Sequence, residues 1–194
     1  MNFIIGALKI IFLLGFLVLI HEGGHFLVAK LCKIYVKEFS IGFGPKIISW
    51  QGKETKYSIR WIFFGGYVDM LGETERNESE KAFNNASIPK RLAIVAAGAI
   101  VNIIFGLVVF FILICIAKHD LFFSLKQTGV FILDIFDSLK TIFTGNLNMD
   151  QMVGPVGISE MVVKTNGLFN FVYLMSLISV SLGVTNLLPI PALD

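Results

Sequence analysis

Charge is scarce in this 194-residue sequence: only 15% of residues are Asp, Glu, Lys or Arg, against 55% hydrophobic and a mean hydropathy of +0.78. Soluble domains carry roughly a quarter of their residues charged, so that class is excluded. Two cysteines, Cys32 and Cys115, are too few for a disulfide framework. They lie in or beside different apolar runs, where packing is their expected role. No basic cluster interleaved with aromatics is present, and a formal charge of +2 leaves no footprint for nucleic acid. Internal repeats and low-complexity tracts are missing too. No A-x-A cleavage site follows the first apolar run, which is therefore expected to be a retained span and not a signal peptide.

What the sequence does have is three long apolar runs, at 3–32, 92–117 and 168–193. Each meets the ~20-residue requirement for crossing a bilayer core of ~30 Å. The expected fold class is an α-helical integral membrane protein with about three transmembrane helices, organised as one core over residues 1–194. Eleven of the sixteen basic residues fall from Lys30, at the end of the first run, to Arg91, just before the second. The positive-inside rule makes that loop cytoplasmic, which puts the N-terminus outside and runs spans one and three in parallel.

Within the loop, "TKYSIRWIFFGGYVDMLGE" (55–73) reads as two β-rich runs, Tyr57 to Phe63 and Tyr67 to Leu71, around a Gly65-Gly66 turn. A β-hairpin is expected over about 56–71. Its tip is too apolar for a freely solvated loop. Two readings stand: a hairpin packed against the spans, or an edge strand beside an active site that holds an extended peptide by main-chain hydrogen bonds. The polar stretch 73–87 reads as a surface connection. After the second span, about ten residues lead to "VFILDIFDSLKTIF" (130–143), whose apolar residues recur at helical spacing opposite Asp134, Asp137 and Lys140. An interfacial amphipathic helix over about 129–144 is expected, and "GPVGI" (154–158) reads as a turn before the third span.

Chemistry enters at "HEGGH" (21–25). His21 and His25 are about 40° apart around a helix and ~6 Å apart along it, so both imidazoles can reach one metal ion. Glu22, ~100° away, is placed to act as a base without being a ligand. This is the H-E-x-x-H arrangement of zinc metalloproteases. Gly23 and Gly24 cost about 1 kcal/mol each in helix propensity but leave room beside the metal. Polar groups inside a span are functional candidates by default, since an unpaired charge there costs several kcal/mol.

A catalytic zinc takes three protein ligands, which directs attention to Asp194 at the end of "TNLLPIPALD" (185–194). Pro189 and Pro191 stop the third helix near Leu188 and extend the chain. Asn102, in the second span, is a buried polar residue open to two roles, an interhelical hydrogen bond or a place in the pocket.

With "HEGGH" in the first span and "NLLPIPALD" closing the third, the chain resembles the site-2 protease family of intramembrane zinc metalloproteases. "IGFGP", "FFGGYVDMLGE", "AAGAIVN" and "GPVGI" are similar to the regulator of sigma-E protease branch. The resemblance implies zinc held by His21, His25 and Asp194, with Glu22 as catalytic base. It implies substrate contacts from Asn186, Pro189 and Pro191, and from the hairpin at Gly65, Gly66 and Tyr67, with Asn102 also in the pocket. It further implies a multi-pass protein of the inner membrane, with its active site toward the cytoplasm. Its substrates would be single-pass membrane proteins, such as anti-sigma factors, or signal-peptide remnants, cleaved in regulated intramembrane proteolysis. Family members usually carry PDZ domains between the second and third spans and a fourth span after the Asp; the sequence here leaves no room for a PDZ domain and stops at Asp194, so a fragment is expected. A catalytically inactive scaffold that binds single-pass helices is the competing reading.

Overall fold

A long apolar run with no internal proline satisfies its backbone most simply as a helix. In the computed structural model, which describes residues 2–144 and 155–188, the three apolar runs form α1 (Asn2–Leu31), α2 (Ile88–Lys118) and α5 (Leu168–Leu187). These three are long and apolar enough to cross a membrane, as the sequence predicts. Between α1 and α2 lie β1 (Val36–Gln51), β2 (Lys56–Met70) and a 3-10 turn at Phe83–Asn85. Between α2 and α5 lie α3 (Leu121–Phe143) and α4 (Pro155–Lys164). The chain divides into two compact units: residues 1–10 with 105–178, and residues 11–104 with 179–194.

In the unit of 11–104 and 179–194, α1 ends in a Schellman turn. Lys33 takes a left-handed φ of 64°, its N–H bonds to Lys30 O, and the Ile34 N–H reaches back to Ala29 O. Ile34 thereby joins Ala29 in a buried cluster with Val36, Val68, Met70 and Ile94. This cluster ties the end of α1, both strands and the start of α2 together. Burial of each large member contributes roughly 1.5–3 kcal/mol.

The strands correct the expected hairpin. The antiparallel pairing runs from Gln51 opposite Lys56 to Val36 opposite Met70, and the hairpin turn is Gly52–Thr55, closed by the Gly52 N–H on Thr55 O at 2.9 Å. The runs 57–63 and 67–71 do not face each other across Gly65-Gly66. Phe39, Ser40 and Ile41 of β1 lie opposite Val68, Tyr67 and Gly66 and also opposite Tyr57, Ser58 and Ile59. Neither Gly65 nor Gly66 has the positive φ of a tight turn; Gly42 and Gly44 do, at 85° and 81°, and β1 bends there. Gly66 serves a close approach instead, since a Cβ on it would meet Ser40 O at 2.7 Å.

In the unit of 1–10 and 105–178, the amphipathic helix begins at Leu121 and not near 129. Asp120 explains the earlier start: its Oδ1 accepts the Phe123 N–H at 2.9 Å, an N-cap that converts the expected connection into helix. Phe131 of α3 stacks on Phe110 of α2 at 4.6 Å, and Tyr173 of α5 lies 5.8 Å from the same ring. The stretch expected as a turn at "GPVGI" is helical from Pro155, because proline at a first helical position gives up only an N–H that has no partner there. Lys9 of α1 caps the end of that region, donating to Thr165 O at 2.7 Å.

Candidate active site

The HEGGH turn of α1 meets α2 where α2 is stripped of side chains. A Cβ on Gly24 would meet Ala97 O at 2.7 Å, so Gly24 serves helix approach and not space beside a metal, while Gly23 faces nothing within 4 Å. The room beside the histidines comes from Gly98, where a Cβ would stand 2.7 Å from His21 Nε2 and closer still to His25 Nε2. The sequence marks Gly98 only as one of several small residues in "AAGAIVN". That it faces the imidazoles depends on the register of the helix pair.

His21 is 4% exposed, and its Nε2 lies 3.2 Å from His25 Nε2. Each ring is turned by its other nitrogen. His25 Nδ1–H donates to Ile94 O at 2.7 Å, since a carbonyl only accepts, which leaves the lone pair on Nε2. His21 Nδ1 lies 3.4 Å from Asn102 Nδ2, while Asn102 Oδ1 is buried with no hydrogen-bond partner among the described residues. Turning the amide over exchanges two atoms of nearly equal size, pairs Oδ1 with the His21 Nδ1–H, and leaves the lone pair of His21 on Nε2 as well. Asn102 is itself fixed from α5, where Ser179 Oγ donates to the Asn102 carbonyl at 2.8 Å. Ile94, Gly98 and Ser179 are site residues that the sequence alone does not point to.

With the amide so turned, two lone-pair nitrogens face one another, an arrangement that is repulsive unless something electrophilic lies between them; with the amide unturned, His21 Nε2–H would donate to His25 Nε2 instead. Donors at ~2.0–2.1 Å from a tetrahedral zinc are about 3.3 Å apart, and the pair stands at 3.2 Å. The histidines therefore fit a metal, with their second nitrogens held by a carbonyl and an amide as metal-ligating histidines are. Among the described residues no group of three His, Cys, Asp or Glu side chains gathers around one point. Asp194, Pro189 and Pro191 lie outside the described residues. Asn186 is in the last turn of α5, half-buried, three residues beyond Gly183, which packs directly on Ala99 O.

The sheet completes the site. β2 runs beside α1: a Cβ on Gly15 would meet Phe63 O at 2.8 Å, and one on Gly66 would lie 3.3 Å from Glu22 Cγ. Of the hairpin residues expected near the substrate, Gly66 thus abuts Glu22, and Tyr67 lines a cavity shared with Glu22 and His25. Gly65 is covered by the Phe43 ring.

Tyr67 is held from behind. Its hydroxyl accepts from Arg60 at 2.6 Å, and Arg60 also donates to Glu38 at 2.8 Å and Ser40 at 3.0 Å. Burial raises the Glu38 carboxyl, but hydrogen bonds from Ser58 and Arg60 and the charges of Lys46 and Arg60 outweigh it and bring it down to about 2. Burial, then the Glu38 charge, push the Tyr67 hydroxyl up.

Known proteins give the same direction. The model of Peptidase family M50 matches residues 9–194. A protein of Clostridium acetobutylicum, named by inference as a zinc metalloprotease, is 53% identical over 96 residues, which is 50% of this chain and 28% of that protein. One of Clostridium perfringens with the same kind of name is 44% identical over 94 residues, 48% of this chain and 28% of that protein. One of Fusobacterium nucleatum is 24% identical over 282 aligned positions, covering 94% of this chain and 83% of that protein. The matched segment thus spans little more than a quarter of either Clostridium relative.

Proposed function

The chain belongs to peptidase family M50, the site-2 protease family, and on that premise we propose that it is a zinc-dependent endopeptidase that cleaves single-pass membrane proteins or signal-peptide remnants within or near the bilayer. The observation that carries this reading is the facing pair of His21 and His25 nitrogens, 3.2 Å apart, with Glu22 in the wall of the adjoining cavity.

His21 and His25 would hold the metal, with Asp194 as third ligand. Zinc, when bound, supplies Lewis acidity that makes water a nucleophile near neutral pH. Glu22, beside the histidines, would be the residue that takes a proton from the attacking water and returns it to the leaving amine. Gly66 and Tyr67 of β2 hold the substrate in extended form next to Glu22. A helical substrate must unwind first, because its carbonyls are engaged in hydrogen bonds. The excess of basic residues between α1 and α2 supports an orientation with this end of the site toward the cytoplasm.

The test is Glu22→Gln in a membrane preparation with a single-pass substrate. Cleavage is expected to stop while one zinc per chain is retained. Continued cleavage overturns the assignment of Glu22. Substrate binding by the unaltered, zinc-loaded chain with no cleavage leaves the scaffold reading in its place.

A further inference from the structure

We propose that the cavity beside Glu22 and His25 is a side-chain subsite that takes a large apolar residue of an extended peptide, adjacent to the bond cleaved; the cleavage part rests on the protease reading above. The cavity has a volume of about 310 Å³, the lower end of the range for small-ligand pockets. Glu22 and His25 form one wall of it, so whatever enters lies next to the reacting groups.

The rest of the lining is apolar and preformed. Val68, Met70 and Ile94 line the cavity, and all three belong to the buried cluster that joins α1, the sheet and α2. Their positions are therefore set by folding and not by a ligand. Phe83 and Val95 form the sides, and Val95 is 52% exposed. Tyr67 presents its ring while Arg60 engages its hydroxyl.

Two carboxylates, Glu22 and Glu73, line the cavity and attract a basic side chain, so the preference for an apolar one rests on the apolar lining it would cover. Glu73 sits on the exposed rim, and its Oε2 accepts the Met70 N–H at 3.2 Å. A lysine reaching Glu73 would leave the apolar lining uncovered. Apolar pockets discriminate about 10- to 200-fold per methylene, so a preference for Leu or Phe over Ala is the expected signature.

The test uses the full chain carrying Glu22→Gln in detergent micelles. Fluorescent extended peptides are scanned at each position with Gly, Ala, Leu, Phe and Lys, and binding is read by polarisation. At one position Leu or Phe should bind at least about tenfold tighter than Ala, Gly or Lys. Val95→Phe, which fills the cavity from a half-exposed helix face, should erase that preference and leave the Gly and Ala peptides unaffected. Val95→Ala should shift the preference toward Phe. No positional preference, a preference for Lys, or an equal loss for every peptide with Val95→Phe overturns the subsite. With Glu22 restored, the same order should appear in kcat/KM. Selective binding without cleavage overturns the protease reading alone, and cleavage without selectivity overturns the subsite alone.

Discussion

Replacing Gly98 by alanine tests the proposed metal site, because zinc affinity should respond far more than the fold. In the middle of α2, glycine to alanine favours the helix by about 1 kcal/mol. The added Cβ, however, would stand 2.7 Å from His21 Nε2 and nearer to His25 Nε2, where carbon contacts normally settle at ~3.5–4.0 Å. Neither imidazole can retreat without losing its anchor, His25 to Ile94 O at 2.7 Å and His21 to Asn102. Loss of such outer anchors costs about 10- to 100-fold in metal affinity in other proteins. Direct intrusion between both ligands should cost at least the upper figure, about 2.8 kcal/mol at 1.4 kcal/mol per decade. Zinc titration of the stripped protein against a chromophoric chelator measures the loss, and thermal unfolding of the metal-free protein measures the fold. The expected result is zinc affinity down by about 100-fold or more, with metal-free stability changed by only about 1 kcal/mol, since the gain in helix propensity offsets a lost side-chain hydrogen bond. Wild-type zinc affinity in Gly98→Ala would refute the reasoning that these two nitrogens share an ion at the edge of α2.

Further outcomes follow from the same geometry. Asn102→Ala leaves His21 Nδ1 without its partner and should weaken zinc by about 10- to 100-fold, read by the same titration; unchanged affinity would mean that Asn102 does not orient His21. Asp194→Ala should lower zinc content in the purified chain, and full stoichiometry would remove it from the ligand set. Glu38 is held at about 2 against an ordinary 4.5, so its contribution is present above pH 4.5 and lost as pH falls from there toward 2. That separation is worth at most about 3 kcal/mol, lowered to roughly 1–2 kcal/mol by screening at the sheet surface. Hydrogen exchange of β1 and β2 should rise over that interval, and Glu38→Gln should flatten the dependence; an equally steep rise in the variant would place the acid sensitivity elsewhere.

The spans and the His21–His25 half of the proposed metal site are determined by the sequence alone, because both are local. An apolar run of sufficient length satisfies its own backbone as a helix, and residues four apart on a helix share a face, so the His21–His25 pair needs no partner element to be recognised. α3 is legible by its periodicity only from about 129; its start at the Asp120 cap and the whole of α4, read as a connection and a turn, carry local signals that apolar periodicity does not weigh. Tertiary structure alone decides what surrounds the pair. The hairpin turn lies at 52–55 because residues 39–41 of β1 have partners on both sides, pairings between segments far apart along the chain. Gly98, Ile94 and Asn102 come to the histidines only through the depth and register at which α2 meets α1, which Gly24 against Ala97 sets. Hydropathy specifies that a helix forms and which runs are apolar; it is blind to rotation and sliding between helices. Close packing of small residues and hydrogen bonds between helices fix those, and with them the site.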